Sequence, residues 1–176
     1  MRRLPLLFCT IWLCACNRLP ESYAPPEQRQ PVLGRTYERA SMMVNMNDED
    51  APEHFVKDIG HKLEGNSWRW CEKRPTVRIL LVKTQGLKFK TDFTIWEGCL
   101  KQTGPVTVSF WIGDKLLDKI RYDTPGYKHL EKPVDPSWLQ TQDDTLVAEE
   151  IDKLYLDPVD GTKLGFILTS IGFERQ

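Results

Sequence analysis

The sequence predicts a mainly β protein: an antiparallel β-sandwich of jelly-roll type with about seven or eight strands. Three observations carry this prediction. Several runs alternate apolar and polar residues with a period of two, the mark of a half-buried strand. Glycines, prolines and Asp-Gly pairs punctuate those runs too closely for strand–helix–strand units. The composition, 40% hydrophobic and 28% charged, is that of a globular domain able to bury a core.

The chain opens on a different kind of segment. Arg2 and Arg3 precede a short apolar stretch, Leu4 to Leu13, interrupted by Pro5 and Thr10. A membrane-spanning helix needs roughly 20 apolar residues, so this stretch reads as a signal peptide over residues 1–15. It ends in Leu13-Cys14-Ala15-Cys16. That ending resembles the lipobox of bacterial lipoproteins, with Cys14 a mild departure from the small residue usual there. The resemblance implies cleavage before Cys16, a diacylglycerol on the Cys16 sulfur and acylation of the new N-terminus. It therefore implies attachment to the membrane through lipid. Asn17, in place of the Asp that signals inner-membrane retention, favours the outer membrane.

Residues 16–36 read as the lipidated cysteine and a linker. Pro20, Pro25, Pro26 and Pro31 stand among Glu, Gln, Ser and Arg with almost no apolar run. Residues 37–176 form the predicted sandwich. At its start, Met42, Met43, Val44 and Met46 read as a docking strand or loop at the domain edge. Thr76–Lys83 is a short β-branched run, read as a buried strand. Leu87, Phe89, Phe93 and Ile95 share one strand face, with Lys88, Lys90, Asp92 and Thr94 on the other. Val106, Val108, Phe110 and Ile112 repeat the pattern, with Thr107, Ser109 and Trp111 opposite. Gly113-Asp114 predicts a hairpin into Lys115–Asp123. Asp144–Leu156 reads as a strand, or over Asp144–Lys153 as a short helix. Lys163–Phe173 follows the turn signal Asp160-Gly161.

Lys and Arg total 24 against 25 Asp and Glu, a balance that lacks the basic stripe of a nucleic-acid binder. Of the five cysteines, only Cys71 and Cys99 lie in the predicted domain. In an oxidising compartment two such cysteines predict one disulfide; two separate buried thiols are the alternative. A bridge would close a loop of roughly 29 residues and contribute about 3–4 kcal/mol.

Three stretches carry a second resemblance: Val106–Gly113, Val134-Asp135-Pro136-Ser137-Trp138-Leu139, and Asp160–Leu168. Together, over roughly residues 54–175, they resemble β-sandwich accessory domains of the galactose-binding-like fold found on bacterial cell-surface and glycan-assembly proteins. Members of that fold bind sugars, bind proteins or have no known ligand, so the resemblance implies a fold and no chemistry.

Candidate chemical groups are sparse. His54 and His61 are seven apart, one face of a helix, but Asp58 is the best third ligand and the pair reads as surface histidines. No Gly-x-Ser-x-Gly elbow is present. Asp143-Asp144 and Glu149-Glu150 read as solvated turns, because neighbours on a strand point to opposite faces and cannot flank a sugar. Asp157 and Asp160 read as turn residues, with a structural calcium as the alternative. No metal or cofactor is predicted. Trp111, outward by alternation, is the leading ligand or partner residue, with Lys88, Lys90, Thr107, Ser109, Lys119 and Arg121 completing a mixed face. Cover by the N-terminal segment or the loop near Trp138 is the alternative. Trp68, Trp70, Trp96 and Trp138 read as packing. The predicted function is thus a non-catalytic binding domain on an envelope lipoprotein. Its ligand would be a glycan or another envelope component; a structural or assembly lipoprotein docking a protein partner is the alternative, and an enzyme acting on cell-wall polymers ranks below both.

Overall fold

The computed structural model describes residues 42–176. The predicted signal peptide, Cys16 and the predicted linker lie outside the described residues. The chain folds as β1 (Met43–Asn45), α1 (Ala51–His54), β2 (Phe55–Ile59), β3 (Arg69–Ile79), β4 (Leu87–Ile95) and α2 (Glu97–Thr103). There follow β5 (Val106–Ile112), β6 (Lys115–Tyr122), β7 (Gly126–Pro133), a 3-10 turn at Pro136–Trp138, β8 (Thr145–Ile151), β9 (Tyr155–Leu156), β10 (Lys163–Leu164) and β11 (Phe166–Arg175).

The main sheet runs β6-β5-β8-β3-β11-β4-β7 and all its pairings are antiparallel. β1 adds to β11 and β2 to β3, while β9 and β10 form a separate hairpin. The predicted mainly β sandwich is therefore the fold observed. The edge segment docks as expected: β1 pairs Val44 with Ile171, burying Val44 and Met46. Gly113, at φ 58°, turns β5 into β6, a backbone conformation glycine adopts without strain. Residues 145–151 are a strand, not a helix, because Thr145, Val147 and Ile151 face inward between two pairing partners.

The sheet is curled. β4 and β5 are separated by three strands in the sheet, yet Phe110 of β5 meets Phe89 and Phe93 of β4, both at 6.0 Å between ring centroids. Phe93 also meets Phe166 at 5.3 Å and Tyr122 at 5.6 Å. These rings join the two layers into one core, and truncating Phe93 to alanine would cost about 3–5 kcal/mol. At the ends of the curl, Lys132 of β7 pairs with Asp118 of β6 at 2.5 Å. The Lys128 ammonium lies 5.6 Å from the Tyr122 ring.

Two expectations are corrected. Cys71 and Cys99 are free thiols and both are buried. Cys71 points into the core from β3. The chain turns at Trp96 into α2, which carries Cys99 onto a helix tied to β9 through Gln102 and Leu156 at 2.8–2.9 Å. Burial pushes both thiols up, away from the reactive thiolate form. Glu149 is not in a solvated turn. It is fully buried on β8 opposite Phe110, and neither carboxyl oxygen has a hydrogen-bond partner among the described residues. Desolvation pushes its carboxyl up to about 8; the nearby Thr91 hydroxyl opposes this and Asp92 adds repulsion. The Thr91 hydroxyl itself donates to the Ser170 carbonyl at 2.9 Å.

Two predictions follow from the core. Alkylation of the protein unfolded without reductant should label both Cys71 and Cys99; a disulfide-linked peptide pair would contradict the free thiols. Glu149 binds its proton more tightly when folded than when unfolded. Its contribution is therefore complete below about pH 4 and is lost as the pH rises toward 8. Glu149→Gln should match the wild type in urea unfolding at pH 4 and exceed it at pH 8.5, by on the order of 5 kcal/mol. Parallel pH profiles for the two proteins would refute this.

Candidate functional site

The most distinctive surface is an aromatic row that begins where the chain enters β3. Gly65 and Asn66 both take positive φ, 52° and 56°, in a tight turn that returns the chain so that the Glu64 N–H donates to the Trp68 carbonyl at 2.8 Å. β3 then alternates: Arg69 and Cys71 are buried, while Trp70 between them is only half-buried. The Arg69 guanidinium turns inward and donates to the carbonyls of Met46 at 3.1 Å, Gly60 and His61. It also lies 5.3 Å from the Phe55 ring. With Arg69 inside, Trp68 and Trp70 stand on the outer face.

The outer face continues across the sheet. Trp68 meets Trp70 edge to face at 5.8 Å and 89°, and Trp70 meets Trp96 at 5.9 Å and 83°. Trp96 meets Tyr155 of β9 at 4.9 Å and 85°. Edge-to-face contacts of this kind suit the ring quadrupoles and hold each ring in place. Trp96 is 38% exposed. Its ring lies against Gly98 of α2, where any β-carbon would collide with it. Beside Trp70 is a depression of about 380 Å³ lined by Asp58, Gly60, His61, Glu72 and Lys163 among others. Asp58 is fixed there by the Arg74 N–H, which donates to its carboxylate at 2.8 Å.

Trp68, Trp70 and Trp96 were expected in packing positions, and the structure corrects this for all three. Alternation alone could show that Trp68 and Trp70 share a face; it could not say which face is inside. Trp138 packs against the core as expected.

The structure divides the predicted ligand face. Trp111, Thr107, Ser109 and Lys119 do come together, around a depression of about 330 Å³ that also includes Lys73, Glu150 and Asp152. Arg121 stands opposite Thr107 on β6. Trp111 is covered by a side chain that alternation did not point to: the Arg74 guanidinium lies 5.0 Å from its ring and pairs with Glu150 at 3.5 Å. Its indole N–H is buried without an acceptor among the described residues. Lys88 and Lys90 are elsewhere. β4 and β5 face each other across the core, so their outer faces diverge. Lys88 pairs with Glu131 at 2.8 Å and Lys90 with Glu174 at 3.3 Å.

A polar network on β4, β7 and β11 escaped the sequence reading because its members are far apart in the chain. Asp92 accepts hydrogen bonds from Tyr127, from His129 at 2.7 Å and from Ser170 at 2.9 Å. Partial burial opposes its ionisation, but these bonds together hold its carboxyl below the usual range. The Ser170 hydroxyl is committed to Asp92 rather than to His129, so the group does not form a nucleophile–base pair.

His54 and His61 do not share a helix. α1 ends at His54, whose Nδ1 contacts the Arg78 carbonyl at 2.9 Å. The Asp157 and Asp160 carboxylates accept the N–H groups of Val159 and Thr162, both at 2.8 Å, as turn residues. Among the described residues, no group of three or more His, Cys, Asp or Glu side chains is arranged to hold a metal ion. No protein-family model and no curated protein matches the chain.

The position of Trp96 can be tested through Gly98. Alanine for glycine inside a helix usually adds about 1 kcal/mol of stability. Here Gly98→Ala should instead lower stability by about 1–3 kcal/mol and displace the indole, read as altered tryptophan fluorescence. A stabilised variant with unchanged emission would contradict the contact.

Proposed function

We propose that the protein is a lipid-anchored envelope protein, held at the outer membrane through Cys16, whose sandwich is a non-catalytic binding domain for an envelope component. The observation that carries the binding reading is the aromatic row. Large apolar rings are ordinarily buried or scattered singly, whereas this row keeps connected rings partly exposed on a braced sheet. Rigid aromatics of this kind make strong contacts at little cost in side-chain entropy.

The anchor reading rests on Leu13-Cys14-Ala15-Cys16. Two or more acyl chains hold a protein stably on a bilayer, whereas one does so only marginally. Among the described residues, no helix is long and apolar enough to cross a membrane. In this reading the linker over residues 16–36 separates the sandwich from the bilayer, leaving the row free to meet its ligand.

Cys16→Ala tests the anchor. The variant should lose lipid labelling and leave the membrane fraction on cell fractionation. Unchanged labelling and membrane retention would refute lipidation at Cys16.

A further inference from the structure

We infer that the Trp68–Trp70–Trp96–Tyr155 row, with the depression beside Trp70, is a binding site for a saccharide chain. The inference rests on the binding-domain reading above and names its ligand class. A pyranose ring has a face of C–H groups and a rim of hydroxyls. The row offers ring faces and edges to the former. The depression offers hydroxyls what they need: Asp58 and Glu72 as acceptors, Lys163 as a donor and His61 as either. Apolar surface with a few placed polar groups is the usual make-up of a small-ligand site.

The extent of the row favours a saccharide over a protein. A stable protein interface buries at least about 1,000 Å² around an apolar centre. Here the large exposed apolar residues near the row are Trp96, with Leu156 and Val159 on the neighbouring hairpin, while Trp68, Trp70 and Tyr155 are half-buried. That is enough for sugar rings laid along connected aromatics. The depression at Trp111 is the weaker candidate because Arg74 already occupies the indole face.

The test uses the full-length protein in detergent on an array of neutral, amino-sugar and uronic-acid polymers, beside Trp70→Ala, Trp96→Ala and Trp96→Phe. Leu116→Ala, an exposed change on β6, serves as a control. Saturable binding to at least one polymer class is expected. Each alanine change should weaken it roughly tenfold or more, Trp96→Phe should restore most of the loss, and Leu116→Ala should leave it intact. Equal losses in Trp96→Phe and Trp96→Ala, or binding indifferent to both positions, would overturn the site. A photo-crosslinker at position 156, exposed beside Tyr155 and outside the row, separates the remaining failures in intact cells. A blank array with capture of a protein would overturn the ligand class but leave the binding-domain reading standing. A blank array with no crosslink would overturn both.

Discussion

The placement of one charged side chain governs the architecture around the candidate site. Arg69 is buried and pairs with no carboxylate among the described residues; its guanidinium donates to the carbonyls of Met46, Gly60 and His61. Burying a cation costs several kcal/mol unless its donors are met, so these carbonyls and the Arg69 geometry require one another. The bonds tie the chain after β1 and after β2 to the start of β3. They also set the phase of β3. Cys71, Val77 and Ile79 turn inward with Arg69, and Trp68 and Trp70 turn outward. An aromatic row on the surface is thus the consequence of a charge in the interior.

The core answers a second constraint. A sheet long enough to place three strands between β4 and β5 must curl if Phe89, Phe93 and Phe110 are to be buried together. β8 lies next to β5 on that path and carries Glu149 inward, opposite Phe110. A carboxyl there is tolerated as the neutral acid, the form that burial favours. The fold therefore holds two ionisable groups inside by different means: Arg69 keeps its charge through carbonyl partners, whereas Glu149 gives its charge up.

Much of the strand pattern was legible in the sequence. β4 and β5 alternate cleanly because one face of each is core, and Gly113 and Asp160-Gly161 mark real turns. Strand order was not legible. Lys88 and Lys90 have the same outward character as Ser109 and Trp111, but periodicity cannot say that three strands intervene. The Trp68-Arg69-Trp70 triplet misled for a related reason: the partners that let Arg69 be buried come from two other segments of the chain. The cysteine pair misled because compartment and number do not fix geometry, and α2 carries Cys99 away from β3. Glu149 was read with Glu150 as a solvated turn, although period-two alternation along 145–151 puts it on the face of Val147 and Ile151, the face the structure buries. Of the site itself, the tryptophans were visible as residues; their arrangement as a row required the fold.

The central claim is that the row, and not the Trp111 face, is where this domain meets its ligand. The indole N–H signals of the full-length protein, followed by two-dimensional NMR during titration with a saccharide that binds, test it most directly. Shifts at Trp68, Trp70 and Trp96, with Trp111 and Trp138 unmoved, are the predicted result. Shifts confined to Trp111, or a row left unperturbed at saturation, would contradict it.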